Sequence, residues 1–88
     1  MSQGVSAELV ARGEDALMGA SWQEARATFA EALAVEDTPE AHDGLGLSLW
    51  WLRDVDGGLA EREKAYAAFR KRGDASRASR VVSAPAWR

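Results

Sequence analysis

The sequence predicts an all-α fold: two antiparallel helical hairpins followed by a short fifth helix, together a fragment of an α-solenoid. Eighteen of the 88 residues are alanine, the strongest helix former, and Val81-Val82 is the only run of β-branched residues. The chain also repeats itself at a spacing of 33 residues, with Gly13 recurring as Gly46 and Ala32 as Ala65. A period near 34 residues with two helices per unit indicates a stacked array of helical hairpins.

The first helix is predicted from about Val5 to Gly19, with Ser6 as its N-cap, after a flexible N-terminus at residues 1–4. Apolar or small residues recur at helical spacing on one face, namely Leu9, Gly13, Ala16, Leu17 and Ala20. A glycine inside a helix costs about 1 kcal/mol relative to alanine. Gly13 therefore indicates that a neighbouring helix comes too close for a Cβ atom.

The second helix begins at Ser21 and completes the first repeat, residues 5–36. Ser21 and Glu24 have the spacing of a capping box, in which the serine oxygen accepts a backbone N–H and the glutamate reaches back. One face then carries Ala25, Phe29, Ala32 and Leu33. We expect the helix to end near Val35 or Glu36.

The second repeat is predicted over residues 38–73. Thr38 caps the third helix and Pro39 occupies its first turn, where no backbone N–H is needed. Asp54 caps a fourth helix that runs from about Val55 to Arg72. Gly73 then stops this helix, because glycine readily adopts the left-handed conformation that follows a helix end.

Residues 74–84 are predicted to form a partial third repeat or a capping helix. Asp74 can cap a fifth helix from about Ala75 to Ser83, and Pro85 then breaks the helical pattern. Residues 85–88 form a tail.

The repeated pattern resembles the tetratricopeptide family over about residues 8–72. In that family a glycine is followed by alanine after twelve residues, an aromatic after four more and alanine after three more. The first unit matches at Gly13, Ala25, Phe29 and Ala32. The second unit matches at Gly46, Gly58 and Ala65, with Arg62 at the aromatic position and Tyr66 as a compensating ring. The resemblance implies a right-handed stack that presents a surface to a protein partner.

Whole phrases of the second repeat resemble a narrower family. Residues 40–52, 54–56, 62–66 and 72–74 are similar to helical-repeat segments of bacterial LuxR-type transcriptional regulators. In those proteins the repeats precede a C-terminal helix-turn-helix, for which residues 75–88 are too few. The resemblance therefore implies kinship to the regulatory portion only, without DNA binding by this chain.

Composition excludes several classes of protein. The absence of cysteine excludes disulfides and thiolate metal sites, and it suits a reducing cytoplasm. We expect no signal peptide and no membrane span, because no run approaches the roughly 18 apolar residues required. Residues 1–44 carry nine acidic residues and two arginines, a net charge of −7, whereas residues 45–88 carry five acidic and nine basic residues, a net charge of +4. Such poles either coat solvated faces or steer a charged partner.

Partner binding is expected at Trp51, Ser48 and His42, along the predicted third helix. Trp50 and Trp51 point about 100° apart on a helix. Because Trp50 is the repeat equivalent of the apolar Leu17, Trp51 is the better candidate for an exposed aromatic anchor. The alternative is that both tryptophans pack between layers. Trp22 is expected at a hairpin corner.

No catalytic, cofactor-binding or metal-binding residues are predicted. His42 is the sole histidine, no cysteine is present, and no serine has a partner base in the sequence pattern. The C-terminal zone is basic, yet cations there also suit a helix C-terminus, so nucleic acid is not the expected partner.

Two functions therefore remain open. One is a non-catalytic protein–protein interaction module of the tetratricopeptide type, which binds a protein, a peptide or a second copy of itself. The other is a truncated regulatory segment of a LuxR-type regulator, which acts through self-association.

Overall fold

The computed structural model of this chain describes residues 2–74, with side chains from residue 4 onward, and the described part is all helical. It contains α1 (Ser2–Met18), α2 (Trp22–Val35), α3 (Pro39–Trp51) and α4 (Val55–Lys71), and no strand occurs within residues 2–74. The all-α prediction is thus confirmed for this part. The predicted fifth helix and the tail lie outside the described residues.

Successive helices pack against each other in opposite directions. Leu9, early in α1, shares a buried cluster with Ala32, late in α2, whereas Ala16, late in α1, lies with Ala25, early in α2. Ala41, early in α3, joins the cluster of Leu9 and Ala32. Further contacts link α3 to α4, α2 to α3, and α1 to α3. Each helix therefore packs on the helix that follows it in the chain, and α1 also contacts α3.

The Phe29 ring occupies a gap that glycine leaves in two neighbouring helices. Phe29 is fully buried, and a Cβ atom built on Gly13 of α1 would lie 2.7 Å from its Cζ. A Cβ atom on Gly44 of α3 would overlap the same ring. The close approach predicted at Gly13 is therefore confirmed, and Gly44 is a second such position that the repeat pattern does not mark.

The second unit repeats this arrangement with a cation in place of the ring. Arg62 is the repeat equivalent of Phe29, and its Cγ and Cδ atoms lie 2.9 Å from a Cβ atom built on Gly46. Its Nε lies 2.8 Å from Asp43 Oδ1, so the two side chains form an ion pair. Burial lowers the pKa of Arg62, and the Asp43 carboxylate opposes that shift. Arginine nevertheless keeps its charge, so an ion pair between a buried arginine and a half-buried aspartate joins α3 and α4.

The remaining packing residues predicted from the repeat lie where the pattern indicates. Gly58 and Ala65 are buried in α4, and Tyr66 is half-buried against the cluster of Ala65 and Phe69. A Cβ atom on Gly58 would lie 2.9 Å from the Gly46 carbonyl oxygen, so these two glycines mark the closest approach of α3 and α4.

The N-terminal ends of the helices correct two of the predicted caps. Thr38 and Asp54 accept hydrogen bonds from the amides of Ala41 and Gly57, which confirms both as N-caps. Ser21 precedes α2, but its side chain makes no capping bond. α1 begins at Ser2, so residues 2–4 lie in the helix and Ser6 is a buried residue of its interior instead of its cap.

The C-terminal ends of α1, α3 and α4 share one left-handed turn. The second residue past each helix has a positive φ, which is 61° at Ala20, 73° at Arg53 and 83° at Gly73. The amide that follows donates to a carbonyl oxygen five residues earlier, over 2.8 Å in all three turns. This is the Schellman pattern of helix ends. Gly73 is thus confirmed as a stop, while Ala20 and Arg53 carry side chains in a conformation that favours glycine.

We expect Gly44→Ala to destabilise the fold by about 1–3 kcal/mol, because the added methyl group overlaps the buried Phe29 ring. Urea unfolding followed by circular dichroism measures this change. Gly4→Ala is the matched control, since a Cβ atom there meets nothing within 4 Å and alanine favours a helix. Equal effects of the two substitutions would contradict the packing of Phe29 against Gly44.

We expect Ala20→Gly to raise the free energy of unfolding by about 1 kcal/mol, because glycine removes the steric cost of a left-handed Cβ-bearing residue. Thermal and urea unfolding both report the gain. Ala30→Gly, on the exposed face of α2, should instead lose about 0.5–1 kcal/mol. A loss at both positions would show that Ala20 is not strained.

Candidate functional site

The described residues form neither a cluster that could hold a metal ion nor a helix that could span a membrane. Within residues 4–74, no group of three or more histidine or acidic side chains is arranged to hold a metal ion. None of the four described helices combines the length and the apolar character needed to cross a bilayer.

Ser48 does not reach the surface, which corrects its prediction as a partner-binding residue. Its side chain is fully buried, and its hydroxyl donates to the Gly44 carbonyl oxygen over 2.9 Å. This bond, to the residue one turn earlier, satisfies a polar group inside the helix packing. Ser48 therefore supports the core of α3 and cannot contact a partner.

His42 also faces inward, as a bridge between three segments. Its Nε2 lies 2.7 Å from Asp37 Oδ1 in the loop before α3, and its Nδ1 lies 2.6 Å from Glu61 Oε1 on α4. The ring therefore lies between two carboxylates that come from different parts of the chain. The prediction that His42 contacts a partner is corrected accordingly, because its ring is buried and both nitrogens are occupied.

Trp51 is the predicted binding residue that the structure leaves accessible. It lies at the C-terminal end of α3 with 43% of its surface exposed. Its ring stacks on Trp22, the first residue of α2, with ring centroids 4.9 Å apart and planes 10° apart. The stack joins the two helix pairs. Trp22 therefore packs at a corner, as expected, but its partner is a residue of the other pair.

Further apolar side chains are exposed at the same end of the helices. We call this region the tryptophan end and define it by Met18, Trp22, Trp51 and Val55. Met18 is the last residue of α1 and Val55 the first of α4, and both are exposed. Because successive helices run in opposite directions, these termini meet at one end of the structure. Leu59, one turn further along α4, is 47% exposed.

A groove of about 440 Å³ lies between α1 and the start of α3. We call it the α1–α3 groove. Its walls include the small apolar side chains Ala7, Val10 and Ala11 and the acidic side chains Glu14, Glu36 and Glu40. No Lys or Arg belongs to the described residues that line it.

Glu40, an acid that lines the groove, pairs with a cation. Arg72 donates to its two carboxylate oxygens over 2.6 and 3.3 Å. This bond raises the pKa of Arg72 above its usual value. The ion pairs recorded within residues 4–74 do not include Glu14 or Glu36.

The sequence pattern does not predict the contact of His42 with Glu61 or the stack of Trp22 on Trp51, and the reason is the same for both. His42 pairs with Glu61 across 19 residues, and Trp22 pairs with Trp51 across 29. Helical periodicity assigns each residue to a face but does not tell which residue of another helix it meets. The repeat spacing does give one indication of where Trp22 lies. Trp22 is the repeat equivalent of Val55, and each is the first residue of the second helix of its pair.

Comparisons with models of protein families, with curated proteins and with solved structures find no match for this chain. The function is therefore argued from the arrangement of its own residues.

We expect His42→Ala to lower the free energy of unfolding by about 1–3 kcal/mol, chiefly because it removes the ring that contacts Oε1 of the Glu61 carboxylate, which is 15% exposed and keeps only the hydrogen bond from Lys64 to Oε2. Urea unfolding measures the loss. Asp37→Asn is the comparison, since Asp37 is 79% exposed and its pair with His42 should contribute less than about 1 kcal/mol. A cost at His42 no larger than that at Asp37 would contradict the inward bridge.

Proposed function

We propose that this chain is a non-catalytic protein–protein interaction module of the tetratricopeptide type, which binds a protein or peptide partner. The observation that carries the proposal is the stack of Trp51 on Trp22. Tryptophan is among the residues most enriched at the energetic centres of protein interfaces. A ring that is packed on one face and 43% exposed offers a partner apolar area in a fixed position.

The stack supports binding because it is already ordered. Fixing a flexible side chain at an interface costs about 0.5–1.5 kcal/mol of the binding free energy. Trp51 is held by a ring from a different helix, so much of this cost is met before a partner arrives. The exposed neighbours Met18 and Val55 extend the apolar area beyond a single ring.

The tetratricopeptide type is supported by the recurrence of one packing arrangement after 33 residues. Phe29 packs against Gly13, and Arg62 packs against Gly46 at the equivalent place. Units that bury their faces on their neighbours commonly act by presenting a surface to other proteins. We place this activity in the cytoplasm, which suits a chain without cysteine.

Lack of catalysis is supported by what the polar side chains already do. The Ser48 hydroxyl donates to a backbone carbonyl, and both ring nitrogens of His42 face carboxylates. Neither group is placed to act as a nucleophile or to accept a proton from a substrate.

Self-association is the second candidate function, in the manner of a regulatory segment that pairs with its like. Its support is the exposed Leu59 and Val55 on α4, which form an apolar strip on the last described helix. Helices that expose such strips bury them against a neighbour. This candidate agrees with the resemblance to LuxR-type regulators and requires no DNA binding by the chain.

We expect Trp51→Ala to weaken binding of peptides, selected on the chain from a random display library, by about tenfold or more, while helicity stays intact. Fluorescence anisotropy measures the affinity and circular dichroism the helicity. Val35→Ala is the matched control, because Val35 is exposed at the end of α2 away from the tryptophan end. Unchanged affinity would exclude Trp51 as an anchor, and lost helicity would place it in the core.

A second experiment distinguishes self-association from the binding of another protein. Sedimentation equilibrium of the chain, compared with Leu59→Glu, reports whether copies associate through α4. A dimer that Leu59→Glu dissociates, together with no selected peptide, would favour self-association over the binding of another protein.

A further inference from the structure

We propose that Met18 is a site of reversible oxidation by hydrogen peroxide, and that its sulfoxide weakens partner binding at the tryptophan end. The proposal rests on the proposed function and adds a means of regulating the same surface. Three observations carry it: the exposure of the Met18 side chain, its position at the same end of the helices as Trp51, and the absence of thiols from the sequence.

Met18 is the most exposed of the large apolar side chains within residues 4–74, at 86%. It is the last residue of α1, and the buried clusters of the described residues do not include it. The susceptibility of a sulfur atom to oxidation rises with its access to solvent. Peroxide therefore reaches the Met18 thioether without any opening of the fold.

The sulfur content of the chain directs peroxide to methionine. The sequence contains two methionines and no cysteine, so Met1 and Met18 carry its only sulfur atoms. Cysteine thiolates, which would otherwise compete for the oxidant, are absent. Met18 is the thioether that the structure places at the tryptophan end.

The reaction is a two-electron oxidation of sulfur. The thioether sulfur donates an electron pair to one oxygen of hydrogen peroxide, an S–O bond forms and the O–O bond breaks. The departing oxygen takes the proton of the transferred one and leaves as water, so the side chain becomes a sulfoxide. Methionine sulfoxide reductases reverse this change: two thiols are oxidised to a disulfide, and the sulfoxide oxygen leaves as water. The cycle returns Met18 to its starting state.

The added oxygen changes the surface and leaves the core as it was. The thioether adds apolar area to that of Trp51 and Val55, whereas a sulfoxide is polar and accepts hydrogen bonds. Because Met18 is exposed, water hydrates this oxygen in the free chain and folding is little affected. A partner that covers Met18 has to remove that water, and burial of a polar group without a hydrogen bond is costly. Oxidation therefore opposes binding.

Peroxide treatment of the whole chain, followed by trypsin digestion and mass spectrometry, tests the site. Cleavage after the arginines releases residues 13–26, which contain Met18 and not Met1. We expect this peptide to gain one oxygen atom at nearly the rate seen for the chain unfolded in urea, and fragment ions to place it on Met18. Methionine sulfoxide reductase with a thiol should remove it. Slow oxidation in the folded chain, or oxygen on Trp22 alone, would overturn the proposal.

The affinity for a peptide selected on the unoxidised chain measures the consequence. Oxidation should weaken this peptide by about fivefold to fiftyfold in fluorescence anisotropy, with helicity unchanged. Met18→Gln places a polar side chain of similar length at this position and should weaken the peptide without peroxide. Met18→Leu keeps the apolar area and Met1 but removes the exposed thioether, so its affinity should be the same before and after peroxide.

Val35→Met combined with Met18→Leu is the matched control for position. Val35 is exposed at the end of α2 away from the tryptophan end, so full oxidation of the new thioether should leave affinity unchanged. Equal weakening in this control, weakening of Met18→Leu by peroxide, or loss of helicity on oxidation would each overturn the proposal.

The Trp51→Ala variant separates this proposal from the binding function itself. Unchanged affinity after full oxidation of Met18, with Trp51→Ala still weakening the peptide, would overturn the regulation and leave the proposed function standing. A chain that selects no peptide, or one whose affinity Trp51→Ala does not alter, would overturn the proposed function at this surface and the regulation with it.

Discussion

The contact on which this fold depends is the Phe29 ring held between Gly13 and Gly44. The ring fixes the distance of α2 from both α1 and α3, because any Cβ atom at either glycine would collide with it. Protein interiors are packed as densely as crystals of small molecules, so the helices around Phe29 have little room to shift. Close approach at this point also sets the relation of the two helix pairs. The Trp22–Trp51 stack and the α1–α3 groove, which both span those pairs, inherit their geometry from it.

The second pair of helices meets the same steric demand by electrostatic means. Where the first pair buries Phe29, the second buries Arg62 beside Asp43, and His42 and Glu61 form another bridge across the same helices. Buried ion pairs add little net stability compared with apolar packing, but removal of one partner is costly. The interface of α3 and α4 therefore uses charged contacts at the place where the first pair uses an aromatic ring.

The sequence predicts local structure well here and contacts between helices poorly. Thr38, Pro39 and Asp54 act within one turn, so their spacing alone identifies two helix starts. Gly13 was interpretable because a glycine at a repeated helical position calls for a steric reason. The prediction of Ser6 as an N-cap is wrong because the residues next to a serine do not distinguish a helix cap from a buried position inside a helix. The sequence does not indicate the left-handed turn at Ala20. Glycine is the usual residue for that conformation, and the neighbouring glycine is Gly19, one position earlier.

Functional interpretation follows from which side chains the fold has already used. The histidine and the buried serine are engaged within the packing, whereas the exposed residues include apolar side chains at the tryptophan end and acidic side chains at the groove. Area and charge serve recognition, since an interface gains affinity from buried anchors and selectivity from complementary charge. The two surfaces lie at opposite ends of α3. The packing of Phe29 against Gly13 and Gly44 fixes how far apart these two surfaces lie.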